Sequence, residues 1–137
     1  MHLRSWIPRS DRIRLTELIV NTFNINKTEA NKILNGAHDV LIIADEEDRI
    51  IGFLCYRLYL HHIAFVNYLV IDAKYRGRGL FRKLFPHVVN YLKKREIKGI
   101  IGLVSKGNPR ALKQFLKYGC IPLRVLPQHI LIAMYLR

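Results

Sequence analysis

The sequence predicts an α/β fold: a central mixed sheet of about six or seven strands with about four helices on its faces. Three observations carry this. The elements read β-α-α-β-β-β-α-β-α-β-β, and strands alternate with helices throughout the second half. Glycine, proline and Asn/Asp residues punctuate the boundaries between them. At 137 residues, 50% hydrophobic and 24% charged, the chain predicts one soluble domain, spanning 1–137, with a real core.

Leu3 to Ile7 reads as a short strand that Pro8 stops. Ser10 or Asp11 then offers an N-cap for a helix with Ile13, Leu15, Leu18, Ile19 and Phe23 on one side. Asn26 to Leu34 reads as a shorter helix, with Gly36 as its stop. Val40 to Ala44 and Arg49 to Leu60 are β-branched and aromatic runs, joined by the acidic turn Asp45-Glu46-Glu47-Asp48 into a hairpin. After His61-His62, Ile63 to Ile71 reads as a central strand running into Tyr75-Arg76-Gly77-Arg78-Gly79-Leu80. From Leu80 the period changes to that of a helix, through Leu84, Val88 and Leu92 to Lys93-Lys94-Arg95, with a kink expected at Pro86. Gly99 to Val104 is a further strand. Asn108-Pro109 supplies a cap and a first helical residue for a helix that Gly119 closes. Ile121 to Leu126 and His129 to Leu136 end the chain as strands.

Charge is unevenly spread. Residues 1–72 hold eight Lys/Arg against nine Asp/Glu, whereas 73–137 hold fifteen against one, so the net charge of +13 begins at the glycine turn. Such a field favours a nucleotide cofactor, a nucleic acid or an acidic protein. Cys55 and Cys120 lack metal-ligand spacing and read as small buried hydrophobes; no metal is expected. No apolar run approaches the ~20 residues of a membrane span, and the N-terminus lacks a signal-peptide stretch, which predicts a cytoplasmic protein.

A strand that ends in a glycine turn and opens a helix is an anion site, because glycine lets a ligand approach the backbone and the first helical N–H groups are unpartnered. Here Arg76-Gly77-Arg78-Gly79-Leu80-Phe81 resembles the Arg/Gln-x-x-Gly-x-Gly/Ala signature of the GNAT superfamily of acyl-CoA-dependent N-acyltransferases, departing from it at Phe81. Ile71-Asp72-Ala73-Lys74-Tyr75 is similar to the family's Val-x-Pro-x-Tyr lead-in, with alanine for proline. Asn108, Ala111, Phe115 and Gly119 match its second block in spacing, and Ile51-Gly52-Phe53 is typical of its third strand.

The resemblance implies a GNAT-like sheet splayed between strands four and five, and an acetyltransferase that moves an acetyl group from acetyl-CoA to a primary amine. It implies that Arg76, Gly77, Arg78, Gly79 and Leu80 hold the pyrophosphate of coenzyme A. Leu69 and Ile71 would pair with the pantetheine amides, and Asn108 would bond that arm or cap its own helix. Phe115 stands where the family commonly carries a general-acid tyrosine. Tyr118 is the hydroxyl one turn away, and His61 and His62 carry imidazoles, the side chain suited to taking a proton near neutral pH; Asn67, Tyr68 and Ser105 are candidates for the acceptor cleft. By analogy two copies could join through the last strands. Two other readings stand beside this one: a non-catalytic acyl-CoA sensor, favoured by Phe81 and Phe115, and a nucleic-acid or ribosome-associated protein, favoured by the charge.

Overall fold

The computed structural model describes residues 1–137. Its elements are β1 (His2–Ser5), α1 (Pro8–Phe23), α2 (Lys27–Gly36), β2 (Asp39–Ala44), β3 (Ile50–Tyr59), β4 (Ile63–Ile71), α3 (Leu80–Lys94), β5 (Gly99–Ser105), α4 (Pro109–Lys117), β6 (Ile121–Val125) and β7 (His129–Tyr135). The seven strands form one sheet in the order β1-β2-β3-β4-β5-β7-β6. Every neighbouring pair is antiparallel except β4 and β5, which are parallel, as a strand–helix–strand crossover through α3 requires.

Helices cover both faces. Leu15, Leu18 and Ile19 of α1 and Ala30 and Leu34 of α2 pack with Val40, Ile42, Phe53, Cys55 and Val70 of the sheet. On the other face Leu84, Val88 and Leu92 of α3 meet Leu41, Ile43, Leu54, Tyr56 and Ala64. A smaller cluster under α4 joins Val104, Cys120 and Ile132. Strand alternation produces this division: successive residues of β2 go to opposite faces, and both faces are apolar because both are covered. Both cysteines are buried and unpaired.

Two expectations at the N-terminus are corrected. Pro8 does not merely stop a strand; it is the first residue of α1, a position where its missing N–H costs nothing. Asp11 closes that end from within the helix, its carboxylate accepting the Ile7 N–H at 2.7 Å and the Arg4 guanidinium at 2.7 Å. The expected apolar stripe of α1 is also narrower: Ile13 is 82% exposed and Phe23 42%. α3 runs from Leu80 to Lys94 as one helix, with Pro86 inside it.

Candidate functional site

The site is built on an incomplete pairing. β4 and β5 are in register from Ile63 opposite Gly99 to Val66 opposite Gly102, and there the pairing stops although β4 continues to Ile71 and β5 to Ser105. A β-bulge marks the same point. Cys55 of β3 opposes Tyr68 while Tyr56 opposes Val66, so Asn67 is the extra residue. Beyond it the Asp72 N–H donates to the Ile51 carbonyl at 2.8 Å, and a Cβ on Gly52 would lie 2.5 Å from the Val70 carbonyl. Asp72 and Val70 therefore turn their backbone groups to β3. By strand alternation Leu69 and Ile71 turn theirs into the gap, where β5 offers no partner.

At the mouth of that gap the chain makes a turn of 3₁₀-helix at Ala73–Tyr75, capped by the Asp72 carboxylate, which accepts the Lys74 N–H at 3.1 Å. That bond and the Arg14 guanidinium, which also pairs with Asp72, hold its carboxyl below the usual carboxylate range. Gly77 and Gly79 follow with φ of +76° and +68°, a region that L side chains enter at a cost, and a Cβ at either would meet nothing within 4 Å. Gly79 is the N-cap of α3 and supplies no side chain. The contrast with the other helices is informative: Asn26 caps α2 and Asn108 caps α4 through its Oδ1 and the Ala111 N–H, at 3.2 Å. The N–H groups of Gly77 to Phe81 have no acceptor within the protein. They form an open row of donors at a helix N-terminus, flanked by the exposed Arg76, Arg78, Arg82 and Lys83. Arg76 also reaches back, its Nε donating to the Ile71 carbonyl at 2.8 Å, and Arg78 lies over the Tyr75 ring.

α4 meets α3 through four aromatic rings. Phe115 stacks edge-on against Phe81 with centroids 5.0 Å apart, and Tyr118 lies 5.5 Å from Phe81 and 5.3 Å from Phe85. Phe81, the departure from the glycine signature, is thus the central ring of this wedge. The sequence brings Arg76 to Leu80, Leu69, Ile71, Asn108 and Phe115 to one end of β4 and β5.

It does not bring the histidines there. His61 and His62 are exposed and occupy the β3–β4 turn, at the start of β4, whereas the gap opens at its end. They line an open groove of about 630 Å³ with Lys93, Arg95 and Lys98 beyond the C-terminus of α3. The nine residues of β4 separate them from the glycine turn. Sequence reasoning named Asn67 as a candidate for the acceptor cleft without fixing its face, and it missed the Arg76 contact with Ile71. No local signal announces either, beyond one amide in an apolar run.

A row of backbone donors and acceptors along β4 that β5 leaves without partners, leading from a helix N-terminus with free N–H groups, fits a cofactor that carries phosphate at one end and amides along an arm. Among the described side chains no cluster of three or more His, Cys, Asp or Glu has metal-binding geometry. The model of the acetyltransferase (GNAT) family matches residues 9–120. Aminoglycoside 6'-N-acetyltransferase complexed with coenzyme A has a TM-score of 0.80 at 14% identity, covering 100% of this chain and 98% of that one. A variant of the Vibrio cholerae spermidine N-acetyltransferase has 0.83 at 19%, covering 98% and 95%. Ard1 from Thermoplasma volcanium has 0.81 at 13%, covering 98% and 97%. At such identities the likeness is one of fold. No curated protein matches the chain in sequence.

Proposed function

The chain belongs to the acetyltransferase (GNAT) family, and we propose that residues 1–137 act as one domain that transfers an acetyl group from acetyl-CoA to a primary amine. The single observation that supports this best is the unpaired stretch of β4 beyond Val66, which ends at an uncapped helix N-terminus. Gly77 to Phe81 hold the pyrophosphate through their N–H groups, with Arg76 and Arg78 adding charge. Leu69 and Ile71 bond the amides of the pantetheine arm, which lies in the gap as an added strand would.

The reaction forms a bond from the amine nitrogen to the acetyl carbon and breaks the carbon–sulfur bond. The amine loses one proton, and the thiolate gains one. A backbone N–H of β4 facing the gap donates to the oxygen on which charge develops. Holding amine and thioester together supplies much of the rate. Phe115 carries no proton, the Tyr118 ring packs against Phe81 and Phe85 of α3, and in this reading water delivers the proton to the thiolate. No helix is long and apolar enough to cross a membrane, and we place the activity in the cytoplasm.

The experiment is thiol release from acetyl-CoA with a panel of spermidine, an aminoglycoside, benzylamine and a peptide amino terminus, alongside calorimetric binding of coenzyme A. Turnover with any amine supports the transferase. The aromatic wedge favours a second reading, a cofactor sensor, and binding without turnover across the panel would establish it.

A further inference from the structure

We propose that the Asn67 carboxamide is the polar contact that positions the acceptor amine at the closed end of the β4–β5 gap, and that the acceptor is a primary amine on an apolar stem. This rests on the transferase reading above. Asn67 Oδ1 is buried and has no hydrogen-bond partner. Leaving such an atom unpaired forfeits its bond to water with nothing in return. The one other atom in that state, Thr16 Oγ1, sits within α1, where rotation can bring a hydroxyl to a carbonyl one turn back. Asn67 lies on a bulge, outside the ladder, and has no such local recourse.

Its position is what gives the amide a use. Val66 is the last residue of β4 paired to β5, so Asn67 is the first residue of the gap's closed end. Ile71 at the mouth lies four positions further along, roughly 13 Å of strand. An arm that enters at the glycine turn and bonds Ile71 and then Leu69 delivers its far end to Asn67. The bulge also sets the face. Cys55, opposite, belongs to the core beneath α1 and α2, so Asn67 and Tyr68 both turn to that side, away from α3.

The same surroundings define the amine. Tyr68 meets Phe23 edge-on at 5.5 Å, an apolar wall beside the amide. The carboxylates that α1 and the end of β4 bring to this side, Glu17 and Asp72, are both paired with Arg14. A polycation would find no free carboxylate among them. The Asn67 amide has no internal hydrogen bond at either end, so a half-turn exchanges Oδ1 for Nδ2 at little cost. Being uncharged, it accepts an N–H from the amine and leaves the nitrogen lone pair for the acetyl carbon.

The test compares wild type, Asn67→Leu and Asn67→Asp with acetyl-CoA and benzylamine or spermidine. For Asn67→Leu the expected result is an unchanged Kd for coenzyme A, a raised unfolding temperature, and a benzylamine KM increased about tenfold or more. Asn67→Asp, of the same shape, should return KM to within about threefold and add an ionisation to its pH profile. Benzylamine should turn over better than spermidine. Unchanged KM and kcat in Asn67→Leu would overturn the proposal. A wild type that binds coenzyme A but releases no thiol with any amine would sink the transferase reading instead. The Asn67 contact is then decided by calorimetry of benzylamine on the coenzyme A-loaded protein: binding lost in Asn67→Leu sustains it, and equal or absent binding refutes it.

Discussion

Val66 and Gly102 are the last residues at which β4 and β5 pair, and beyond them Leu69 and Val70 have opposite fates. Val70 gives its N–H and carbonyl to the β3 ladder, while Leu69 gives its own to the gap. Proline removes a donor at either position. Leu69→Pro should unfold at a higher temperature than Val70→Pro, because it forfeits no ladder bond. It should still weaken coenzyme A binding about tenfold or more through loss of an N–H that bonds the pantetheine arm. Equal destabilisation by the two prolines would contradict the alternation deduced for β4.

The glycine turn makes a separable prediction about binding. Gly77 and Gly79 hold φ of +76° and +68° with open space around them, so alanine at either suffers from backbone conformation and not from a clash. Each substitution should cost about 1–2 kcal/mol of stability. Gly79→Asn should cost less, since asparagine enters this region more readily. Arg76→Ala should weaken coenzyme A binding and flatten its salt dependence while changing stability little, because Arg76 is exposed and its contact with Ile71 is a surface one. Thermal unfolding and calorimetric Kd read these two effects apart.

Tyr118→Phe tests the proton's route. The ring stays between Phe81 and Phe85, so stability should hold within about 0.5 kcal/mol and the readout is the hydroxyl alone. We expect kcat to change less than about threefold, since the side chain is packed on α3. A fall of about 10²-fold with loss of the alkaline limb of the pH profile would make Tyr118 the acid after all.

How far the sequence reaches is seen in the difference between Asn108 and Asn67. The cap at Asn108 was legible because its determinants are local: Asn, then Pro, then an apolar helical stripe closed by Gly119. The turn at Gly77 and Gly79 was legible for the same reason. The role of Asn67 depends on two residues of β4 facing one of β3, a long-range count that no neighbouring residue encodes. Pro8 failed differently, since one residue type both ends strands and begins helices. His61 and His62 were chemically suitable, but only topology decides which end of β4 holds the gap.

Asp11 predicts the acid limb of stability. The Arg4 guanidinium and the Ile7 N–H hold its carboxyl below the usual range. A depressed folded pKa contributes stability that is present above the unfolded value, near 4, and is lost as pH falls through the folded one. Asp11→Asn should therefore cost roughly 2–3 kcal/mol at neutral pH, and its unfolding temperature should depend less on pH below about 4. An undiminished acid dependence would place the responsible carboxylate elsewhere.

Cys55 and Tyr91 predict the alkaline limb, with the opposite sign. Burial pushes the Cys55 thiol from an ordinary value near 9 up to about 12, with the nearby Asp39 charge adding to it. Burial likewise pushes Tyr91 from 10 up to about 12, reinforced by its hydrogen bond to Asp39 Oδ2 at 2.8 Å. Both groups keep their protons in the folded chain where the unfolded chain would release them. Their contribution is whole below the unfolded pKa and drains away as pH rises from about 9 toward 12. Stability should accordingly fall first above pH 9, when the unfolded thiol ionises, and more steeply above 10 as tyrosine joins it. Cys55→Ala should leave a cavity and lower stability at neutral pH, yet remove the earlier part of that decline. Tyr91→Phe should reduce the later part, and it strips one of the three hydroxyls, those of Ser5, Tyr56 and Tyr91, that bond the Asp39 carboxylate, the one that ties the C-terminal turn of α3 to β2. Urea unfolding between pH 7 and 11 resolves the two steps, and a decline unchanged in both variants would assign the alkaline limb to other groups.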